Sequence, residues 1–163
     1  MNDIKGSFIT VNDNITADMI CSSEYTNENN SAKLAKHVFE ALDNGIPKKL
    51  ANVSILIVGH GFGNGTVNDL PVRALLAAGV KCIIAISYNR RFFRAGINNG
   101  LALVECDLLN EVSNNGIISV NLAEGKITYR GKEIHFALYP EQVCKIIEAG
   151  GLLKAVKKQL WKT

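Results

Sequence analysis

Residues 59–69 read GHGFGNGTVND, with four alternating glycines after an apolar run and before an amphipathic stretch. Glycine adopts positive φ angles without steric cost and lets a ligand approach the backbone closely. A helix that begins just after such a loop presents unpaired N–H groups and the positive end of its dipole. We therefore expect this glycine loop, residues 59–69, to bind a carboxylate or a phosphate.

The spacing of the glycines argues against nucleotide binding. The dinucleotide fingerprint G-x-G-x-x-G is broken by Asn64 when it starts at Gly59 and by Thr66 when it starts at Gly61. The chain also lacks the Gly-Lys-Ser/Thr triplet of a P-loop. A tight strand-to-helix turn without a ligand is the alternative, although it explains one or two glycines more easily than four.

The glycine loop is predicted to lie between a buried strand and a helix. Residues 53–58 (VSILIV) form a largely apolar run, rich in β-branched residues, that is typical of a parallel strand. A helix is predicted over 69–78, with Pro71 in its first turn and Gly79 at its end. A second buried strand follows over 80–87, so this order predicts a βαβ crossover with parallel strands.

The remaining patterns predict a mixed α/β chain. A short strand over 6–11 precedes a long polar loop over 12–30, and a helix with Ser31 as its N-cap is predicted to end at Asn44-Gly45. The later patterns predict a helix over 89–98, a strand over 101–105, antiparallel hairpin strands over 117–122, 126–129 and 133–138, and helices over 140–149 and 152–161. The apolar face of the last helix is expected to pack against the protein; it comprises Leu152, Leu153, Val156, Leu160 and Trp161. If that face is exposed instead, it is a candidate interface.

Composition limits the classes of function. A length of 163 residues fits one domain over 1–163, and a net charge of +3 gives no reason to expect nucleic-acid binding. The four cysteines are far apart and form no C-x-x-C pair, so we expect free thiols in a reducing cytoplasm and no metal site. Cys82 and Cys144 are expected to be buried. No apolar run reaches the ~18 residues of a membrane span, so no membrane partner is expected.

The order of residues also resembles a known family. From Gly59 to Leu75, and on through GVKCIIAISY at 79–88 and RRFFRAGINNGL at 90–101, the chain is similar to the small subunit of 3-isopropylmalate dehydratase. DNITAD at 13–18 is similar to the family's D-N-I-D-T-D, AKHVFE at 35–40 to its first helix, and EAGGL at 148–152 to its closing E-A-G-G-L. The resemblance covers nearly the whole chain.

The resemblance implies a swivelling β/β/α three-layer domain like the aconitase swivel domain, with a mostly parallel sheet and C-terminal antiparallel hairpins. It implies a hydro-lyase subunit of leucine biosynthesis that acts on a small hydroxy dicarboxylic acid. Such a subunit is active only with a large subunit, which carries a 4Fe-4S cluster; this chain would hold no cofactor itself. A homo-oligomer of the isolated chain is left open.

The resemblance also assigns the site residues. Thr66 stands at the position of the family's catalytic serine, and Asp18 at that of an aspartate that orients the base and the substrate. The alternative for Asp18 is an aspartate that caps a turn of the Asn-rich loop. The family loop reads G-x-G-S-S-R-E, so Gly65, Val67 and Asn68 would contact the substrate. Val67 can offer only its N–H group, and Asn68 replaces an arginine that would clamp a carboxylate. Losing that charged pair removes about 1.5 to 3 kcal/mol of binding.

Substrate choice is expected to depend on a second segment. By resemblance, Tyr25 and Asn27 lie in a loop that closes over the substrate side chain, and its polar character fits poorly with an isopropyl group. Arg90, another arginine of that helix, or the partner would supply the missing positive charge. The alternatives are a catalytically impaired paralogue or a stand-alone anion-binding or regulatory module that keeps the swivel fold.

Overall fold

The computed structural model describes residues 3–42, 46–113 and 116–161. The seven strands are β1 Ile4–Thr10, β2 Ile55–Val58, β3 Cys82–Ala85, β4 Ala102–Glu105, β5 Ile117–Asn121, β6 Lys126–Tyr129 and β7 Lys132–His135. The helices are α1 Ala17–Ile20, α2 Ser31–Lys36, α3 Ile46–Leu50, α4 Leu70–Ala77, α5 Arg90–Asn98, α6 Glu141–Ala149 and α7 Leu152–Trp161. The mixed α/β class is therefore confirmed.

The seven strands form one curled sheet in the order β4-β3-β2-β1-β5-β6-β7. Strand β1 joins its two parts, because residues 8–10 pair in parallel with β2 and residues 4–7 pair antiparallel with β5. The pairs β2-β3 and β3-β4 are parallel, and β5-β6 and β6-β7 are antiparallel. The predicted parallel βαβ unit and C-terminal hairpins are both present. The sheet is not mostly parallel as expected, because the hairpin strands join the same sheet through β1 and give, in the described residues, three antiparallel pairs beside three parallel ones.

The parallel part of the sheet forms the centre of the core. Every side chain of β2 and β3 is buried, so both faces of these strands are covered. Continuous apolar runs are what such doubly covered strands require. Helix α4 connects β2 to β3 and α5 connects β3 to β4, as predicted, so the glycine loop lies at the carboxyl end of β2.

Four details of the N-terminal third differ from the predictions. The N-cap of α2 is Asn30, not Ser31, because the Asn30 Oδ1 accepts hydrogen bonds from the N–H groups of Ala32 and Lys33. The helix ends at Lys36 and the chain then turns, with Phe39 at a φ angle of 57°. The predicted end at Asn44-Gly45 lies outside the described residues. The polar segment 12–30 contains α1 and a 3-10 turn over Ser23–Tyr25, and α3 was not predicted.

The expectation that the apolar face of α7 is packed is wrong. Leu153 is 77% exposed, Leu160 66% and Trp161 87%. Periodicity identifies an apolar face, but it does not show whether another element of the same chain covers that face. None of the helices in the described residues combines the length and apolar composition that a membrane span needs.

Candidate active site at the glycine loop

The glycine loop runs beside the N-terminal segment 13–18. Three backbone hydrogen bonds join them: Asn14 N–H to the His60 carbonyl at 2.8 Å, Gly63 N–H to the Ile15 carbonyl at 2.8 Å and Ala17 N–H to the Asn64 carbonyl at 2.8 Å. The Asp13 carboxylate also accepts the His60 N–H at 2.7 Å. Helix α1, which carries Asp18, therefore begins beside Asn64, and the structure brings together the two segments that the sequence singled out.

Two glycines of the loop are required by close neighbours. A Cβ added at Gly59 would lie 1.6 Å from the Asp13 Oδ1. Gly63 has a φ angle of +85°, and its added Cβ would lie 2.4 Å from the Phe92 Cγ. Gly65 has a φ angle of +84° but no heavy atom near its added Cβ within 4 Å, so its backbone faces open space. The alternating glycines thus serve both packing and exposure of the backbone.

The turn between β3 and α5 supports the loop from its other side. Gly61 N–H donates to the Ser87 Oγ at 2.8 Å, and Phe62 N–H donates to the Ser87 carbonyl at 3.1 Å. The Phe62 ring packs edge-on against Phe92, with centroids 5.2 Å apart. The first half of the loop is therefore held on two sides, which fixes the position of its second half.

The second half of the loop forms an exposed crest, residues 64–68, around one buried side chain. Gly65, Val67 and Asn68 are exposed, whereas Thr66 is only 3% exposed. Within the described ranges, no hydrogen bond engages the N–H groups of Gly65, Val67 and Asn68. Three free amides on an exposed turn can bind a carboxylate oxygen.

Thr66 does not present its hydroxyl to solvent in this structure. The Oγ1 donates to the Gly63 carbonyl at 2.5 Å, and the Thr66 N–H donates to the same carbonyl at 3.2 Å. Neither of the two cavities described below includes Thr66 among its lining residues. A hydroxyl in this position can act on a substrate only after it turns away from Gly63.

The start of α4 offers fewer free amides than the sequence suggested. The Asn68 Oδ1 accepts the Leu70 N–H at 2.9 Å, and Pro71 has no N–H group. The Arg73 N–H donates to the Asp69 carbonyl at 2.9 Å. Leu70 and Pro71 therefore offer no free N–H at the start of α4, and Asn68 combines its bond to Leu70 with a side-chain amide that can still donate.

The segment that contains Tyr25 and Asn27 is fastened to α4 by Arg73, a residue that the sequence reasoning missed. The Arg73 guanidinium donates to the carbonyls of Thr26 and Glu28 at 3.3 Å each and to the Asp69 carboxylate at 3.1 Å. The i,i+4 spacing of Asp69 and Arg73 was the available signal. The Tyr25 ring stacks on His37 at 4.1 Å, whereas Asn27 is exposed.

Two other predicted site residues, Asp18 and Arg90, lie on different elements. Asp18 is exposed in the first turn of α1. Arg90 is exposed at the start of α5 and lines a cavity of about 530 Å³ that contains no residue of the glycine loop. A second cavity of about 410 Å³ lies between Leu76, Lys81, Gly100 and Ile147. The geometry therefore groups Asp18 with the loop and separates the Arg90 side chain from it.

All four cysteines are free, and three of them are buried: Cys21, Cys82 and Cys144. Burial raises the pKa of the Cys82 thiol in β3 to about 12, which keeps it protonated and unreactive. Cys106 is partly exposed. The described residues include no group of three or more His, Cys, Asp or Glu side chains arranged to hold a metal ion.

Comparison with known proteins identifies the family. The model of the aconitase C-terminal domain family matches residues 2–108. The 3-isopropylmalate dehydratase small subunit of Nautilia profundicola is 36% identical over 162 residues, which cover 98% of each chain. That of Caldicellulosiruptor saccharolyticus is 37% identical over 161 residues, 97% of this chain and 93% of that one. This chain belongs to the 3-isopropylmalate dehydratase small-subunit family.

A solved structure agrees with this placement. The crystal structure of 3-isopropylmalate dehydratase (LeuD) from Methanocaldococcus jannaschii superposes with a TM-score of 0.88 and 28% sequence identity, and the match covers 98% of this chain and 96% of that one. The small-subunit family is thus shown by sequence and by fold, and the expected aconitase-type swivel fold is confirmed. Membership of this family makes the chain a small subunit of a hydro-lyase.

Proposed function

We propose that this chain works with a large subunit to dehydrate, hydrate or isomerise a small hydroxy dicarboxylic acid. The observation that carries the proposal is the pairing of residues 13–18 with the glycine loop. Both segments resemble motifs of the family, and their backbone bonds support a site in which the exposed Asp18 carboxylate and the free amides of the crest would act together. Relatives matched over 94% or more of this chain, each called a small subunit, support it over a stand-alone module.

The crest of the glycine loop is the binding element of this proposal. The N–H groups of Gly65, Val67 and Asn68 would bind one carboxylate of the substrate, and the Asn68 side-chain amide would add a neutral donor. An amide carries no charge and cannot form the bidentate ion pair of a guanidinium, so this carboxylate would be held more weakly than by the family's arginine. The large subunit would supply the compensating positive charge.

Thr66 is the proposed base. Its oxygen, as the alkoxide, would take a proton from the carbon next to a carboxylate, the C–H electron pair would form the double bond, and hydroxide would leave the adjacent carbon. Because the hydroxyl now donates to Gly63, docking of the large subunit would have to turn it toward the substrate. The exposed Asp18 would orient the base and the substrate from α1.

The segment fastened by Arg73 would determine which substrate fits. Tyr25 and Asn27 would contact the side chain of the hydroxy acid, and Arg73 fixes the backbone on both sides of Asn27. A segment this polar favours a substrate with a polar or small side chain over one with an isopropyl group.

We propose that the large subunit carries the iron-sulfur cluster, as the family resemblance implies. There it would supply Lewis acidity toward the leaving hydroxyl. We also place the complex in the cytoplasm, an expectation supported by four unpaired cysteines.

Reconstitution tests this proposal. The chain would be mixed anaerobically with a cluster-bearing large subunit, and complex formation and alkene absorbance would be measured over a panel of hydroxy dicarboxylic acids. We expect a stable complex and turnover on at least one acid. A complex without turnover on any of them would reject catalysis and leave docking, whereas the absence of a complex would reject both.

A further inference from the structure

The cavity of about 530 Å³ beside α5 is a second concave site on the molecule. It lies between α5 and the segment 139–143, which leads into α6. Its volume falls in the range of about 300 to 1,000 Å³ that small-molecule sites occupy. None of its lining residues belongs to the glycine loop or to segment 13–18.

The walls of this cavity are largely aromatic and aliphatic. The centroid of the Phe93 ring lies 5.6 Å from that of Tyr88 and 6.2 Å from that of Tyr139. Ile97 and Val143 complete the apolar surface. Both tyrosine hydroxyls are already used: Tyr88 donates to the carbonyls of Ile83 and Val104, and Tyr139 donates to that of Leu103. The two rings therefore offer the cavity their apolar surfaces.

Three polar residues of α5 line the same cavity. Arg90, Arg94 and Asn98 are spaced four residues apart, so they lie on one side of the helix. Within the described part of the chain, no ion pair or hydrogen bond engages the side chain of Arg90 or Arg94. Glu105 also lines the cavity, and no ion pair joins it to either arginine. Two cations and one carboxylate leave a net charge of +1.

We propose that this cavity binds a small monocarboxylate with an apolar body. Arg90 and Arg94 hold the carboxylate, and the hydrocarbon lies against Phe93, Ile97 and Val143. The net charge of +1 matches one carboxylate, and Glu105 disfavours a second one. A dicarboxylate, the class proposed for the glycine loop, is therefore a poor ligand here, and the two sites are chemically distinct.

The experiment uses the isolated, isotope-labelled chain and 3-phenylpropanoate as the probe. Titration followed by NMR is expected to shift the Asn98 side-chain amide and the backbone amides of α5, and to leave those of Gly65 and Val67 in place. Arg90→Gln and Arg94→Gln are each expected to weaken binding at least about tenfold, as the loss of a charge-assisted hydrogen bond does. The matched control is Arg91→Gln, an exposed arginine of the same helix that does not line the cavity.

The outcomes separate this site from the one at the glycine loop. We expect 3-phenylpropanamide, which lacks the charge, to bind at least about tenfold more weakly than the acid, and malate not to displace the probe. Absence of saturable binding, equal weakening by Arg91→Gln, or displacement of the probe by malate would each overturn the proposal. Because no large subunit and no turnover are involved, failure of reconstitution would not affect the result.

Discussion

Gly63 and Gly65 have nearly the same φ angle, +85° and +84°, but different surroundings. An alanine at either position pays the left-handed cost of about 1 to 2 kcal/mol. Only at Gly63 would the new Cβ also strike the fully buried Phe92, for which overpacking adds about 1 to 3 kcal/mol. In urea unfolding we expect Gly63→Ala to lower the free energy of unfolding by about 3 kcal/mol and Gly65→Ala by about half as much. Equal losses would show that Phe92 does not restrict Gly63.

The buried thiol of Cys82 makes stability depend on pH. Burial raises its pKa to about 12 in the folded chain from the ordinary value of 9.0 for a thiol, so between these values the unfolded state loses the proton first. The folded state then binds more protons, and the free energy of unfolding falls as pH rises. From about pH 8 to about pH 10 we expect this thiol to lower the free energy of unfolding of the parent by about 1.4 kcal/mol. We expect Cys82→Ala not to show this decrease. Parallel pH profiles for the two proteins would contradict this.

At the scale of single residues, the sequence indicated which segments carry the candidate site better than it indicated the burial and hydrogen bonds of the side chains. The segments that carry Asp18 and Thr66 meet as expected, but the burial of Thr66 and its bond to Gly63 could not be predicted, because both depend on the turn that the loop makes. The role of Arg73 as a fastener depends on tertiary contacts across more than 40 residues. The Asn68 bond to Leu70 is local, and it depends on the conformation of the turn before α4.

Arg73 determines the order of the segment that contains Asn27. Its guanidinium bonds to the carbonyls of Thr26 and Glu28, so Arg73→Ala removes both bonds and the pair with Asp69. We expect amide hydrogen exchange over residues 26–29 to rise about tenfold, the effect of losing about 1.4 kcal/mol of local stability. Arg73→Lys keeps the charge but lacks the planar fork, so it is expected to raise hydrogen exchange over residues 26–29 as Arg73→Ala does. Unchanged exchange in Arg73→Ala would mean that the segment is held by other contacts.

The exposed face of α7 contributes little to the stability of the isolated chain. Leu153 is 77% exposed, so Leu153→Ser is expected to change the free energy of unfolding by less than about 0.5 kcal/mol. Leu75 of α4 is fully buried, and Leu75→Ala is the matched contrast, with an expected loss of about 2 to 5 kcal/mol. Similar losses for the two variants in urea unfolding would contradict the exposed placement of α7.

Periodic elements were predicted well and irregular ones were not. The strands β2 and β3 and the helices α4, α5 and α6 match the sequence patterns to within about two residues at each end. The four-residue α1 and the five-residue α3 are too short to show a helical period. The early end of α2 depends on a positive φ angle at Phe39, a conformation that a buried aromatic residue adopts only under tertiary constraint.

For the molecule as a whole, strand β1 links the two parts of the sheet. One half of β1 pairs with β2, which leads into the glycine loop, and the other half pairs with β5 of the antiparallel part. This change of partner within one strand cannot be inferred from hydrophobic alternation, which is the same on both sides. The candidate site therefore rests on the fully buried parallel strands, while the crest of the glycine loop and Asp18 remain exposed.

Comparison of three proteins in complex with the large subunit, the parent, Thr66→Val and Thr66→Ser, tests the central claim most directly. Valine keeps the shape of threonine and removes the oxygen, so we expect kcat to fall at least about 100-fold with complex formation unchanged. Serine keeps the hydroxyl and is expected to retain kcat within about tenfold of the parent. A Thr66→Val complex that turns over as fast as the parent would contradict the account.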